Sequence, residues 1–354
     1  MVMYNDRREG FMSNKAITVY DIAKEAGVSP ATVSRVLTNN ARVSDEKKKR
    51  ITEVIEKYDF EPNGLARSLS KQETKTIGML VPDIRNPYYS TIYVECEIEA
   101  SKFGYNLILC NTINELKAES VHLRNLSEKH VDAIIQVGGS VDEIIPDPSY
   151  VALINKISKK IPIIIAGELK GTDCFRVEAE ETHGMKHLIP YLVGMGHREI
   201  AFIGGREGVI PTSKKRVALK QFLTELQVPY REEFIIDEDY SIEGGYKGMS
   251  KLYELGKLPT VIIAINEFAA MGILKFLHEK GIEVPQDISL VAFDDTYFSE
   301  VLTPNLTSIN YNLKLFSKKI METVISVLNK NETEEVKCVE THLTIRDSCI
   351  SPVS

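Results

Sequence analysis

The spacing of apolar residues changes near residue 75 of the 354-residue chain. Before that point apolar residues recur every three or four positions, which is the period of an amphipathic helix. A clear instance follows Ser44, where Ile51, Val54, Ile55 and Tyr58 share one predicted helix face. After residue 75 the apolar residues form short, nearly continuous runs separated by stretches of helical length. The pattern predicts an all-α front and an α/β remainder.

Two short helical segments are predicted in the stretch TVYDIAKEAGVSPATVSRVLT. Thr18 and Asp21 have the spacing of a capping box, and Gly27 can adopt the left-handed backbone that ends a helix. Ser29 is a natural N-cap, and Pro30 suits the first position of a second helix. These signals predict two helices joined by a tight turn.

The polar face of the second predicted helix is small and carries a single charged residue, Arg35. A face exposed only to solvent is usually richer in Lys and Glu. Arg35 could pair bidentately with guanine, and the methyl groups of Ala31 and Thr32 could contact thymine in a major groove. A three-helix bundle without a special task is the alternative interpretation.

The motif DIAKEAGVSPATVSRVL resembles the helix-turn-helix headpiece of the lac-repressor (LacI/GalR) family of bacterial transcription regulators. The resemblance implies a DNA-binding headpiece at 15–61, which follows an N-terminal extension at 1–14 that we expect to be disordered. Thr38 stands where the family often has asparagine. The residues that the resemblance places on DNA are Tyr20, Ser29, Pro30, Ala31, Thr32, Ser34, Arg35 and Ser44.

The next segment, EPNGLARSLSKQETKTIG, contains a helix-like run of about eight residues, too short to be stable alone in water. A plain inter-domain linker is one interpretation. PNGLARSLS also resembles the family's hinge helix, which forms on operator DNA. The resemblance implies DNA contacts from Asn63, Ala66 and Leu69, with Leu69 wedged into the minor groove. We assign 62–75 to the hinge helix and linker.

From Thr76 onward, two series of apolar β-rich runs alternate with helical stretches, the second series beginning after about residue 180. Nearly continuous apolar strands between helices indicate parallel sheets covered on both faces. We therefore predict an α/β core of two doubly wound parallel-sheet subdomains with a cleft between the strand ends. This agrees with the periplasmic-binding-protein-like core of the family. The predicted core spans 76–354, with an N-subdomain at about 76–177 and 310–340 and a C-subdomain at about 178–309 and 341–354.

Polar residues follow several predicted strands at their carboxyl ends, where ligands bind in such sheets. Each residue alone would be interpreted as a strand-end cap or turn residue. At matching ends in both halves, these carboxylates, amides, tyrosines and an arginine favour a site for sugar hydroxyls. The predicted effector-binding residues are Asp83, Asn86, Tyr88, Arg216, Tyr240, Asn266 and Asp294.

The family resemblance supports all of these positions except Asp83. Three neighbouring positions depart from the family pattern. Glu267 stands where the family commonly has aspartate, and Tyr311 stands where it frequently has glutamine. Glu180 stands where the family usually has an aspartate that is followed by asparagine. The departures bear on which effector binds.

Two other motifs are set aside. GGREGVIPTSKKR suggests a phosphate loop, but Ser213 precedes Lys214 and the G-K-[ST] order is missing. His183 and His187 have the i, i+4 spacing of a zinc clamp on a helix, yet no third ligand is evident in the nearby sequence. We predict no metal, no cofactor and no enzymatic activity.

Charge is unevenly distributed. From Ser13 to Lys75 there are twelve Lys and Arg against nine Asp and Glu, a balance of +3, which leaves −10 for the rest of a chain with net charge −7. A modestly basic front on an acidic body is compatible with nucleic-acid contact confined to the front.

The cysteines and the apolar runs indicate in which cellular compartment the protein is expected. The five scattered cysteines include no C-x-x-C pair and favour reducing conditions. The N-terminal residues lack the apolar segment of a secretory signal, and no apolar run reaches the length of a membrane span. We expect a cytoplasmic protein without membrane contact.

These observations predict a sequence-specific DNA-binding transcriptional regulator, a homodimeric repressor that binds pseudo-palindromic operator DNA. A small effector, a sugar or sugar derivative, is predicted to bind in the core cleft and control operator affinity. The alternative is a global carbon-catabolite regulator controlled mainly by a phosphorylated carrier-protein partner. The headpiece disfavours a solute-binding protein for uptake.

Overall fold

The computed structural model describes residues 17–37, 43–60 and 73–352. The chain forms two compact units, divided between Thr74 and Lys75, and each unit is described by itself. The predicted hinge residues Asn63, Ala66 and Leu69, and the N-terminal extension, lie outside the described residues. Within the described ranges, no helix has the length and apolar character needed to cross a membrane.

In residues 17–37 and 43–60 the N-terminal unit has three helices, α1 (Val19–Glu25), α2 (Pro30–Leu37) and α3 (Asp45–Lys57). They enclose a small core whose fully buried members are Ile22, Ala23, Ala26, Val33 and Ile51. The all-α prediction is confirmed for the described residues of the front of the chain.

The predicted start of α1 is present as a complete capping box. Thr18 Oγ1 accepts a hydrogen bond from the Asp21 backbone N–H at 3.4 Å, and the Thr18 backbone N–H donates to Asp21 Oδ2 at 2.9 Å. Gly27 has φ +65° between α1 and α2, so a residue with a side chain would be strained there. Local signals therefore fix both ends of α1.

One position of the predicted apolar face on α3 is different in the structure. Tyr58 is 38% exposed, and its hydroxyl donates to Glu25 Oε2 at 2.6 Å, beside an ion pair between Lys57 Nζ and Glu25 Oε1. The amphipathic tyrosine keeps its hydroxyl at the surface because a buried one would need another polar partner. Tyr58 thus joins α3 to α1 through a hydrogen bond instead of filling the core.

The second unit contains two six-stranded sheets. The strands of the first sheet are β1 (Thr76–Val81), β2 (Asn106–Asn111), β3 (Ala133–Val137), β4 (Ile163–Ala166), β5 (Phe175–Glu180) and β11 (Val336–Glu340). The strands of the second are β6 (Ile200–Ile203), β7 (Ile235–Ile236), β8 (Val261–Ala264), β9 (Ser289–Asp294), β10 (Thr307–Asn310) and β12 (His342–Thr344).

Strand order shows two doubly wound sheets, as predicted. The first sheet has the order β11-β5-β4-β3-β1-β2 and is parallel throughout, and the second has the order β12-β10-β9-β8-β6-β7 with only β12 antiparallel. Every residue of β3, β4, β8 and β9 is buried, because helices cover both sheet faces.

The nine helices described in 73–352 are α4 (Pro87–Ser101), α5 (Leu116–Glu128), α6 (Pro148–Ser158), α7 (Glu181–Gly194), α8 (Ile210–Glu225), α9 (Ile242–Glu254), α10 (Glu267–Glu279), α11 (Tyr297–Val301) and α12 (Leu313–Leu328). Short 3₁₀ helices span Gly139–Asp142 and Glu232–Phe234. Helices α9 and α10 pack with their backbones in contact: a Cβ on Gly245 would lie 2.1 Å from the Ala269 carbonyl oxygen, and one on Gly272 would lie 2.0 Å from that of Ile242.

The chain crosses between the two sheets three times. It leaves the first sheet after Glu180, returns after Asn310 through α12, and leaves again between Glu340 and His342. The sequence placed these crossings near residues 177, 310 and 340. The three crossings lie between two subdomains whose strand carboxyl ends border a common cleft.

Candidate functional site

The outward face of α2 carries the residues proposed for DNA contact. Pro30, Ala31 and Arg35 are exposed, Thr32 and Ser34 are half-buried, and Val33 between them is fully buried. Because Val33 fixes the rotation of α2 on the headpiece core, this face is presented to solvent. A short helix with a small exposed face can enter a major groove.

Two residues of this face are bonded to each other. Ser29 Oγ accepts from the Thr32 backbone N–H at 3.3 Å and lies 2.9 Å from Thr32 Oγ1. The Ser29 side chain is therefore the N-cap of α2, as the sequence predicts. A phosphate contact by either hydroxyl would exchange with this bond.

Other exposed headpiece side chains suit contacts to a nucleic-acid backbone. Tyr20 is 74% exposed, and Ser44 is exposed where α3 begins. The first turns of α3 add four consecutive exposed basic residues, Lys47, Lys48, Lys49 and Arg50. Lysine and arginine at such positions bind phosphate without reading base sequence.

A buried ion pair lies in the core cleft, between the carboxyl ends of the two sheets. Lys215 Nζ is 2.6 Å from Glu181 Oε2, and the two side chains are 5% and 10% exposed. The Tyr311 hydroxyl donates to the same carboxylate oxygen at 2.5 Å, and Lys215 Nζ lies 4.9 Å from the centre of the Phe293 ring. Glu181 is the first residue of α7, Lys215 is in α8, and Tyr311 follows β10.

Two further carboxyl groups border this pair. Burial raises the pKa of Asp294 well above its ordinary value, and the Glu267 carboxylate raises it further while Lys215 opposes both. Burial and the nearby Glu181 carboxylate raise the pKa of Asp142 to about 7. Asp294 also has φ +94°, strained for a residue with a side chain. The cleft therefore concentrates carboxyl groups in a poorly hydrated place.

The cleft is narrow in this structure. Tyr88 makes edge-to-face contacts with Tyr89 at 5.1 Å and Tyr311 at 5.7 Å between ring centres. The cavity bordered by Tyr88, Tyr89, Asp142 and Glu181 has a volume of about 60 Å³. Ligand pockets usually measure roughly 300–1,000 Å³, so the cleft must open to admit a sugar.

Contacts at the rim hold the two subdomains together. The Ile144 backbone N–H donates to the Gly208 carbonyl at 2.8 Å, and Arg206 pairs with Glu143 at 3.3 Å. Lys214 lies 3.6 Å from Glu178 and 3.8 Å from Glu168. Opening the cleft would break these contacts.

Several predicted effector residues serve local structure. Asn266 Oδ1 accepts from the Ala269 backbone N–H at 2.8 Å, and its Nδ2 donates to the Tyr240 carbonyl at 3.0 Å. Asn86 Oδ1 accepts from the Tyr88 backbone N–H at 3.0 Å. Both asparagines cap helices, which is the alternative interpretation for a single strand-end residue.

Three more predicted residues are also engaged within the chain. Arg216 donates to the carbonyls of Gly204 and Gly205 at 3.0 and 2.9 Å and pairs with Asp237. The Tyr240 hydroxyl lies 2.7 Å from Thr212 Oγ1, and Asp83 pairs with Arg85 at 2.7 Å. Of the predicted effector set, two residues lie at the cluster around Glu181 and Lys215: Asp294, which is buried, and Tyr88, which is half-buried and packs on Tyr311.

The sequence prediction omitted the central ion pair and Asp142. Asp142 comes shortly after the predicted strand that became β3, so its strand-end position was a usable signal. Glu181 directly follows β5, which is not among the predicted apolar runs. Lys215 shares a helix face with the buried Thr212 and Leu219, and that periodicity could have placed it inside. Its pairing with Glu181 leaves no local trace in the sequence.

A helix-turn-helix unit with an exposed α2, followed by a two-sheet core with a polar cleft, defines a DNA-binding transcriptional regulator. The model for bacterial regulatory proteins of the lacI family matches residues 18–63, and the model for a periplasmic binding protein-like domain matches residues 189–349. The catabolite control protein A of Priestia megaterium is 32% identical over 320 residues, which cover 90% of this chain and 94% of that protein. The chain belongs to the lacI family of bacterial regulatory proteins.

Solved structures share the fold at lower identity. The lac repressor dimer bound to operator and the anti-inducer ONPF aligns with a TM-score of 0.82 and 21% identity, over 95% of this chain and 100% of that one. The complex of the transcriptional regulator CelR with cellobiose aligns with a TM-score of 0.70 and 22% identity, over 94% of this chain and 100% of that one. These likenesses confirm the predicted two-part architecture.

Proposed function

We propose that the protein is a homodimeric repressor on pseudo-palindromic operator DNA, and that an uncharged sugar or sugar derivative in the core cleft controls its operator affinity. The observation that carries the proposal is the closed cleft itself. Carboxyl groups of Asp142, Glu181 and Asp294 surround Lys215 between two subdomains that rim contacts hold together.

The chemistry of the cleft favours a neutral polyol. Carboxylates accept hydrogen bonds from neighbouring hydroxyl groups, and the rings of Tyr88 and Tyr89 offer apolar faces. The raised pKa values keep Asp294 and part of Asp142 neutral, and Lys215 is already paired with Glu181. These buried groups therefore offer no unpaired cation to a phosphate or carboxylate ligand, which would be costly to bury without one. The cellobiose complex of a protein with the same fold supports a sugar.

The DNA half of the proposal rests on the exposed face of α2. Arg35 would read a base, while Tyr20, Ser29 and Ser44 would contact the backbone. Two headpieces related by a twofold axis would bind two half-sites, as the lac repressor dimer bound to operator suggests. Asn63, Ala66 and Leu69 remain predicted DNA contacts of the hinge.

The small size of the cavity suggests how effector binding is coupled to operator affinity. A sugar must widen a space of about 60 Å³, and widening rearranges rim contacts such as Arg206–Glu143. Effector binding would then favour one relative orientation of the subdomains. An effector shifts such an equilibrium only as far as its affinities for the two arrangements differ.

A thermal-shift screen of the full chain tests the effector. We expect a neutral pentose, hexose or disaccharide to raise the midpoint with its concentration, and to change operator affinity in a fluorescence anisotropy titration. Asp294→Asn should lose the response, and Glu254→Gln, an exposed change on α9, should keep it. A response confined to sugar phosphates or purines would contradict the proposal.

The second candidate is the global carbon-catabolite regulator controlled mainly by a phosphorylated carrier protein. The observation that favours it is the 32% identity to a catabolite control protein A. It predicts no midpoint shift with any sugar, and an operator affinity that rises only when the phosphorylated carrier protein is added. Both candidates predict that the protein binds operator DNA. Adding sugars and adding the phosphorylated carrier protein therefore distinguish them, because each candidate predicts a response to only one of these additions.

A further inference from the structure

A second cluster of ligand-type side chains lies at the surface, where the chain crosses from β5 to α7 and from β11 to β12. Its members are Glu180, His183, His187 and Glu340. Ligand atoms of Glu180, His183 and Glu340 all lie within 4.8 Å of one another, and His187 Nε2 lies 3.3 Å from His183 Nε2. His183 is half-buried and the other three are exposed.

The fold brings these four together for simple reasons. Parallel strands β5 and β11 are paired so that Glu340 lies opposite Glu180 at their last residues. Helix α7 starts directly after Glu180, which puts His183 in its first turn and His187 one turn later on the same face. The sequence shows the histidine pair, and the strand pairing adds the carboxylates.

We infer that this cluster binds a divalent transition metal of the Zn²⁺ type. With Zn–N bonds of about 2.0–2.1 Å, two nitrogens on one tetrahedral zinc are separated by roughly 3.3 Å. The two imidazole nitrogens of His183 and His187 already have that separation. Glu180 and Glu340 have carboxylate oxygens within 4.8 Å of a His183 nitrogen, and side-chain rotation on metal binding would bring them to the remaining two positions of a four-ligand shell.

Charge supports the same assignment. Glu178, two residues before Glu180, is paired with Arg176 at 3.4 Å and Lys214 at 3.6 Å. Within residues 73–352, by contrast, no lysine or arginine forms an ion pair with Glu180 or Glu340. Two neighbouring carboxylates repel each other, and a dication bound between them would reverse that repulsion.

The site would connect the two subdomains. Glu180 and Glu340 end strands of the first sheet, whereas α7, which carries both histidines, packs on α8 of the second subdomain. Thr341 already joins these crossings, because its Oγ1 accepts from the Gly184 backbone N–H at 2.8 Å and donates to the Glu180 carbonyl at 2.9 Å. A metal would add a second link where the chain crosses between the two core subdomains, beside the cleft residue Glu181.

Metal titration of the untagged, chelator-dialysed full chain tests the site. We expect one equivalent of Zn²⁺ to bind in a calorimetric titration, and Co²⁺ to give the visible absorption of a tetrahedral complex. His183→Ala should weaken Zn²⁺ binding by at least about tenfold. Removing a residue that only orients a metal ligand already lowers metal affinity about 10–100-fold, and His183 would be a ligand itself. Glu180→Gln combined with Glu340→Gln should do the same.

Matched controls make the result decisive. His278→Ala removes an exposed histidine on α10 and Cys338→Ser removes an exposed thiol on β11; both should bind as wild type does. Equal thermal midpoints of the metal-free variants establish that they are folded. The absence of stoichiometric binding, an unchanged affinity in His183→Ala, or loss confined to Cys338→Ser would each overturn the assignment. No DNA or sugar enters the assay, so its outcome is independent of the proposed function.

Discussion

The headpiece and the core cleft hold their candidate functional side chains in opposite environments. On α2 these residues all lie within residues 30–35 and are mostly exposed, on a helix whose single fully buried residue is Val33. In the cleft, Glu181, Lys215 and Tyr311 come from three distant elements and are buried against one another. A headpiece change should therefore alter DNA affinity with little effect on folding, whereas a cleft change should alter stability first.

The strongest test of this contrast is Lys215→Met. It leaves Glu181 buried without its cation, and removing one partner of a buried pair costs about 3–5 kcal/mol. Chemical denaturation of the full chain measures the loss. Lys220→Met on the same helix is the control, because Lys220 and Glu232 are 59% and 73% exposed and solvent screens that pair. Equal losses in the two variants would contradict the contrast.

Arg35→Ala should act on DNA affinity instead. If Arg35 reads a guanine, its loss should cost about 1–3 kcal/mol in operator binding and relax discrimination at one base pair. Lys49→Ala should weaken operator and random DNA alike and lower the salt slope by about 1. Binding titrations against both DNAs, at matched salt, distinguish the two, and a uniform loss in Arg35→Ala would remove its base-reading role.

The cleft should also be sensitive to pH in a defined direction. The pKa of Asp142 is about 7 in the folded chain against an ordinary 3.8, so between these values the folded state holds a proton that the unfolded state has released. Stability from this group is therefore present at low pH and lost as pH rises from about 4 to 7. Relative to Asp142→Asn, the wild type should lose roughly 1–2 kcal/mol between pH 5 and 8, allowing for the partial exposure of the carboxyl group. Stability curves that run parallel over this range would show that the carboxyl titrates normally.

The smallest effect concerns the helix start in the headpiece. Thr18→Ala removes the capping box and should destabilise α1 by about 1 kcal/mol, seen as roughly fivefold faster amide hydrogen exchange in residues 19–25 of the full chain. Thr52→Ala is the control, because Thr52 Oγ1 only donates back to the Lys48 carbonyl within α3. Unchanged exchange in Thr18→Ala would mean that tertiary packing alone holds α1.

Sequence reasoning worked where the signal was local. The capping box at Thr18, the turn at Gly27 and the two series of buried strands all depend on residues within a few positions of one another. In the cleft it selected Asn86 and Asn266 by strand-end position and family resemblance. The structure uses both amides as helix caps, and their part in effector binding stays a prediction. Strand-end position is shared by ligand-binding and capping residues, so it does not separate them.

The sequence by itself determined the helix-turn-helix, the two α/β series and the family, because caps, turns and apolar periodicity act over short distances along the chain. Only the tertiary structure decided that Glu181 pairs with Lys215, and that Glu340 comes beside Glu180 and His183. Those pairings depend on how helices pack and in which register strands align. The free energy that selects them is spread over a whole buried core, and no short stretch of residues records it.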